Sequence, residues 1–298
     1  MTEACQRVGM SRQNFYAARR VRRKREVDEK LVVELAQRQR HQHPRIGCRK
    51  LKHLLEEPLQ QAGVSLGRDR FFGVLRRAEM LVEAKPKTRR TTQSRHGMPV
   101  HRNLLKGREL TGPNQAWVSD LTYVRTLEGF AFVAVIMDAW SRKLVGTHVG
   151  DSLESIGCQA ALKDALAELP ERSRPIHHSD RGSQYCCQEY VQMLEKAGIA
   201  VSMTEENHCY ENAQAERVIG ILKAEYALGQ VFQSKQQVRR VMPEIRRLYN
   251  ECRPHTALAY KVPSEVHATG IVSSPVGGDS ARFAALTVAP SPPTGNNA

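Results

Sequence analysis

No stretch of this sequence approaches the ~20 consecutive apolar residues that a membrane-spanning helix needs. None of its seven cysteines, Cys5, Cys48, Cys158, Cys186, Cys187, Cys209 and Cys252, forms a Cys-x-x-Cys pair. The first lack excludes a helical membrane protein. The second, with no secretory signal ahead of it, makes the thiols reduced packing residues of a cytoplasmic protein. His41 and His43 are followed by no cysteine pair at ligand spacing, which excludes an N-terminal zinc module.

Positive charge is missing from most of the chain. Of a net +14 over 298 residues, residues 111–298 hold 18 Lys+Arg against 20 Asp+Glu, a balance of −2. Residues 1–110 hold 27 against 11, a surplus of +16. A basic block ahead of a near-neutral domain points to a polyanion, and no apolar face accompanies it to suit a membrane surface, so the expected partner is nucleic acid.

That basic block reads as helices. A turn at Gly9 and an N-cap at Ser11 precede the run Arg19-Arg20-Val21-Arg22-Arg23-Lys24-Arg25, the outline of a helix-turn-helix over residues 2–25. Arg22 and Arg23 are placed to reach DNA. A second unit is expected from Asp28, with Leu31, Val32 and Leu35 on one face, ending before Pro44. Two more helices follow, one opening near Arg49. In the other, Phe71, Val74 and Leu75 turn inward and leave Arg70, Arg76 and Arg77 for DNA. Around Pro86 and Pro99 the pattern dissolves into an extended basic linker.

Beyond the linker, chemistry gathers on three acids. Asp120 lies in Trp117-Val118-Ser119-Asp120-Leu121-Thr122-Tyr123, a run whose β-branched and aromatic residues alternate as in a strand. Asp180 lies in Ile176-His177-His178-Ser179-Asp180-Arg181-Gly182-Ser183-Gln184-Tyr185, and thirty-five residues separate it from Glu216 in Glu211-Asn212-Ala213-Gln214-Ala215-Glu216-Arg217. Carboxylates are the hard ligands that Mg²⁺ takes, and two such ions about 3.5–4 Å apart can clamp both oxygens of an in-line phosphoryl transfer.

These motifs, with Tyr249-Asn250-x-x-Arg253-Pro254-His255-x-x-Leu258, resemble the OrfB transposases of bacterial insertion sequences over residues 40–266, an IS3-type group with a retroviral-integrase-like DDE core. The resemblance implies Asp120, Asp180 and Glu216 as catalytic residues and ligands of Mg²⁺, with Mn²⁺ as a substitute. It also implies cleavage of double-stranded DNA at the element ends and transfer to a target. The implied assembly is a homo-oligomer, at least a dimer, with an upstream helix-turn-helix OrfA product as a further partner. The place of action is the bacterial nucleoid. Glu211 stands where the family usually has Asp, and Arg217 where a small Ser is usual.

The expected fold is α/β, a ribonuclease-H-like catalytic core of mixed sheet flanked by helices, preceded by an all-α helix-turn-helix region. Three antiparallel strands are expected first, then a helix from a capping box at Asp151 and Glu154 to Leu169, then strands separated by helices. In the helix carrying Glu216, Lys223 falls seven residues on along the same face, with Gly220 between, and is assigned to a DNA phosphate. Glu225 falls on the apolar side, so the helix should bend or end there. Pro243 is expected to kink the next helix. Arg253 is assigned to DNA, and His255 to packing or phosphate. The expected boundaries are 1–84 for the DNA-binding region, 85–109 for the linker, 110–268 for the core and 269–298 for a disordered tail. A Mg²⁺-dependent nuclease, or a transposase-derived regulator without turnover, would share parts of this pattern.

Overall fold

Three antiparallel strands follow from short connections and a nearly unbroken apolar run. The computed structural model describes residues 9–82, 97–205 and 209–272. In it β1 (Ala116–Thr126), β2 (Gly129–Asp138) and β3 (Leu144–Gly150) form that meander. β2 reads as a continuous hydrophobic string because both of its faces are covered. Ala131, Val133, Val135 and Met137 pack against α7 (Ala213–Glu225) and α8 (Lys235–Arg247). Ala134 and Ile136 pack against α4 (Ser155–Ala167) and α6 (Gln188–Lys196).

Two short parallel strands, β4 (Ile176–Ser179) and β5 (Ala200–Met203), extend the sheet to the order β3-β2-β1-β4-β5, the mixed ribonuclease-H-like arrangement expected. The single-turn helix α5 (Ser183–Cys186) follows β4, and α9 (Pro263–Thr269) closes the core. Gly146 lets α4 lie on β3, because a Cβ there would run into the carbonyl oxygen of Ala161. One expectation fails here. Helix α4 begins at Ser155 with no side-chain cap, because Asp151 instead meets Arg239 and Lys235. Helix α8, capped by Ser234, continues through Pro243 as one element and passes into a π-turn at Leu248–Cys252.

The basic third is helical where described: α1 (Arg12–Gln42), α2 (Cys48–Gln61) and α3 (Arg68–Arg77). Ser11 caps α1 by accepting from the Asn14 N–H at 3.1 Å, and Gly9 takes φ +63° at the turn before it. The separate unit expected from Asp28 does not exist, since no Gly or Pro interrupts residues 12–42 and the helix runs through. Only its second half is buried. Val32 and Ala36 join Ile46, Leu51, Leu55, Phe71, Val74 and Leu75 in a small core, while the Arg-rich first half is exposed. Residues 83–96, most of the expected linker, lie outside the described residues, as do residues 1–8 and the expected tail from 273. Residues 97–109 are not a detached linker. The Leu104 N–H donates to Ser202 Oγ at 2.8 Å, and Leu105 packs against the sheet.

Candidate active site

β1 delivers Asp120 to the face of the sheet that α7 covers. Side chains two apart on a strand share a face, and Ala116, Val118 and Val124 pack with Ala215, Val218 and Leu222 of α7. Asp180 follows the end of β4. The parallel pairing runs Ala116 with Ile176, Trp117 with His177 and Val118 with His178, where it ends. Both aspartates therefore stand two residues beyond the last parallel pair, at the same end of neighbouring chain segments.

Local backbone groups orient both carboxylates. Asp120 Oδ1 accepts from the Leu121 N–H at 2.8 Å, and Asp180 Oδ1 from the Gly182 N–H at 3.0 Å. Glycine at 182 leaves room for both side chains: a Cβ there would lie 2.7 Å from Gln184 Oε1 and 3.0 Å from Asp180 Oδ1. Arg181 reaches back along β5, its Nε donating to the Thr204 carbonyl at 2.7 Å.

The strands are pinned from below by a buried network. His177 Nε2 meets Ser119 Oγ at 2.6 Å and the Tyr190 hydroxyl at 2.9 Å. His178 Nδ1 meets Ser202 Oγ at 2.8 Å. Burial pulls the two imidazoles down to about 3 and about 4, so at neutral pH both are uncharged struts beneath the acids.

Glu216 arrives on α7, half-buried in its first turn. Asn212, four residues earlier and so on the same helix face, donates from Nδ2 to the Ser119 carbonyl at 3.0 Å. That bond ties the start of α7 to the peptide immediately before Asp120. Glu211 closes the loop ahead of it by accepting from the Glu205 N–H at 2.7 Å. Among the described residues no three acids, histidines or cysteines converge closely enough to enclose an ion. The donor set is nonetheless all carboxylate oxygen, which suits Mg²⁺.

Lys223 lies over the ring of Tyr123, its Nζ 4.7 Å from the centroid. Burial lowers its ammonium below the usual lysine range, and the nearby Asp120 charge opposes that shift. The assigned Arg22, Arg23, Arg49, Arg70, Arg76 and Arg77 are all exposed on the helical region. Arg22 pairs with Glu26, and Arg77 with Glu29 at 2.8 Å.

Arg253 requires a correction. Its side chain is 2% exposed, and Nε and Nη2 each meet a Glu225 carboxylate oxygen at 2.8 Å. A guanidinium enclosed in a bidentate pair cannot reach a DNA phosphate. Glu225 also meets Lys50 at 3.4 Å, and His255 accepts from Arg253 at 2.9 Å if its Nε2 is unprotonated. His43 meets the Tyr226 hydroxyl at 3.1 Å. This cluster joins α2 and the end of α1 to the last turn of α7. The signal in the sequence, an acid on an apolar helix face, was read only as a place where the helix bends or ends; α7 does end at Glu225.

Two family models, each described as an integrase core domain, match residues 111–209 and 197–263. The chain is 34% identical over 264 residues to an uncharacterized 31 kDa protein of insertion element IS600 from Shigella sonnei, spanning 87% of this chain and 96% of that protein. It is 35% identical over 184 residues to the transposase InsF of insertion sequence IS3A from Escherichia coli strain K12, spanning 61% of this chain and 64% of InsF. Among solved structures it is similar to the HTLV-2 integrase catalytic core domain in complex with magnesium. There the TM-score is 0.42 at 19% identity, over 54% of this chain and 99% of that one. The Mos1 transposase catalytic domain with Raltegravir and Mg gives a TM-score of 0.38 at 15% identity, over 47% of this chain and 73% of that one.

Proposed function

The chain belongs to the integrase-core transposases of IS3-type insertion sequences, and from that premise we propose that it cuts the ends of its element and joins them to target DNA through Asp120, Asp180 and Glu216. What supports the site assignment is the parallel pairing of β1 with β4, two residues beyond whose last pair both Asp120 and Asp180 lie, with Asn212 holding the third acid's helix to the peptide before Asp120.

The three carboxylates are the proposed holders of Mg²⁺, with Mn²⁺ as substitute, which when bound supplies Lewis-acid activation of the attacking and leaving oxygens. The chain's own residues do the positioning. The Leu121 and Gly182 amides hold the aspartates' orientation. The neutral His177 and His178 keep the strands beneath them fixed without adding charge. Lys223, on the α7 face of Glu216, is proposed to take a phosphate of the bound strand.

Residues 1–84 are proposed as the DNA-binding region, 85–109 as a basic linker and 110–268 as the catalytic core. Two element ends must meet for transposition, so the working assembly is proposed to be at least a dimer, with an upstream helix-turn-helix OrfA product as a further partner. The test is a strand-transfer assay on a labelled element end. Asp120→Asn, Asp180→Asn and Glu216→Gln should each abolish cutting and joining while the fold and DNA affinity stay close to wild type. Unimpaired cutting by any one of them would sink the three-acid assignment.

A further inference from the structure

The outer end of the β1–β2 hairpin carries two large aromatic rings in water. Tyr123 is 43% exposed and Phe130 44%. Tyr123 pairs across the strands with Phe132, so Phe130, two residues along β2, is its diagonal neighbour on the same face. The rings meet edge to face with centroids 5.3 Å apart, and Tyr123 keeps nearly half of its surface open beside Phe130 and Lys223. Exposed apolar groups standing together, in place of scattered singly, mark a binding surface.

The surroundings say what would bind. Tyr123 lies three residues beyond Asp120 on β1, so their side chains leave opposite faces of the strand, and Lys223 stands near both, over the Tyr123 ring and close enough to Asp120 to feel its charge. The Lys223 ammonium sits 4.7 Å from the centre of its ring, and Arg125 and Arg217 are exposed on the same two elements, β1 and α7. A ligand that offers a flat π-face and a negative charge one bond chain away satisfies all of these groups together. A nucleotide is that ligand, whereas an apolar protein segment would leave the cations facing it without anions.

We propose that Tyr123, braced edge-on by Phe130, is the stacking platform for an unpaired base of the DNA strand end, beside the phosphate held at the acids. Lys223 then engages that nucleotide's phosphate. The inference rests on the strand-cutting function proposed above and adds a positioning residue and a demand on the substrate: the base next to the cut must leave the duplex. A residue that stacks in this way contributes to the position of the scissile phosphate without touching the reacting atoms.

The experiment uses the full chain and a duplex bearing the element end, with 2-aminopurine placed at successive positions flanking the cut. Binding is read by fluorescence without divalent ion, and cutting is read separately with Mg²⁺. Wild type should change the probe's fluorescence at one or two positions next to the cut. Tyr123→Leu, which keeps apolar bulk and removes the π-face, should erase that position-specific change and slow cutting about 5- to 150-fold, the range expected for one base–aromatic stack. Tyr123→Phe should retain both signals, and Phe130→Leu should lose part of each. If Tyr123→Leu matches wild type in fluorescence and cutting while Asp120→Asn is inactive, the stacking role is overturned and the strand-cutting function stands. If wild type and Asp120→Asn are equally inactive on the end, the function falls and the stacking role falls with it.

Discussion

The two ends of α7 carry an acid each, Glu216 in the first turn and Glu225 at the last residue, and they have opposite fates. Glu225 is enclosed by Arg253 and Lys50, and although burial pushes its carboxyl up, the Arg253 hydrogen bonds prevail and hold it below the usual carboxylate range. Glu216 is half-buried on the face that Asn212 ties to β1, on the side of the sheet that bears Asp120. One helix therefore ends on an acid enclosed by cations and begins with an acid on the side of the sheet that bears Asp120. The lesson is that residue type does not separate a structural acid from a functional one. Enclosure by cations marks Glu225 as structural.

The largest expected effect breaks this comparison at both ends. Glu216→Gln should lower strand cutting about a thousandfold or more, since metal stabilisation of the transition state is worth several kcal/mol and each 1.36 kcal/mol is a factor of ten. Its urea midpoint should hardly move. Glu225→Leu should do the reverse, because it strands the Arg253 guanidinium in the interior at a cost of about 3–5 kcal/mol. The double change Glu225→Leu with Arg253→Met should recover most of that stability. A Glu225→Leu protein with wild-type stability would show that the junction is decorative.

The next effect sharpens the acid end alone. Gly182→Ala inserts a Cβ against Asp180 Oδ1 and Gln184 Oε1. The Gln184 side chain can swing away, so the fold should survive. The Asp180 carboxylate should shift, and a displacement near 1 Å is enough to slow cutting about 10- to 100-fold. Cutting at the wild-type rate would mean that the Asp180–Gly182 contact does not set the carboxylate's position.

How far the sequence spoke follows from the same contrast. The sheet was legible because β2's apolar run and the short turns leave few ways to pair three strands, and β1's alternation carried Asp120 into place. The pairing of Asp120 with Asp180 came through motif resemblance, for no local pattern announces a parallel register between strands sixty residues apart. The Glu225–Arg253–Lys50 cluster was illegible because its members lie 28 and 175 residues apart and only the fold brings them together. Arg253 was misread for that reason: an arginine before Pro-His looks like any cation offered to phosphate until burial shows its partner. The break expected at Asp28 failed differently, since a change of composition was taken for an end when no Gly or Pro was there to stop the helix.

Acid should test the junction end more gently. His43 is pulled down to about 4, chiefly by burial and then by Arg253, from an ordinary 6.5. Its folded value lies below its unfolded one, so between about pH 6.5 and 4 the unfolded chain binds the proton that the folded chain refuses. Stability from this group is complete above about 6.5 and is lost as the pH falls through that window. His177 and His178 add losses in the same direction beneath the acids. Melting temperature should therefore drop on acidification, and His43→Gln should remove part of the drop while keeping a partner for Tyr226. An unchanged pH profile in His43→Gln would place the acid sensitivity elsewhere.

The smallest expected effect compares arginines, the enclosed Arg253 against the exposed ones of α3. Every phosphate neutralised by a side chain releases counterions, so affinity falls with salt at a log-log slope of about −0.9 per contact on duplex DNA. With ~6 contacts over residues 1–110, the full chain should show a slope near −5, and a fragment starting at residue 111 should bind weakly with a much flatter one. Within that total, Arg76→Ala should flatten the slope by close to one contact, because Arg76 is exposed and stands outside the ion pairs that Glu29 makes with Arg77 at 2.8 Å and Arg70 at 3.9 Å. Arg77→Ala should flatten it less, since an arginine that must leave a carboxylate to reach a phosphate gains less from the exchange. Arg253→Met should leave the slope of the folded protein unchanged, however much stability it costs. A slope that moves with Arg253 and not with Arg76 would mean that DNA binding opens the α7 junction, and the two ends of the helix would then be coupled through the DNA itself.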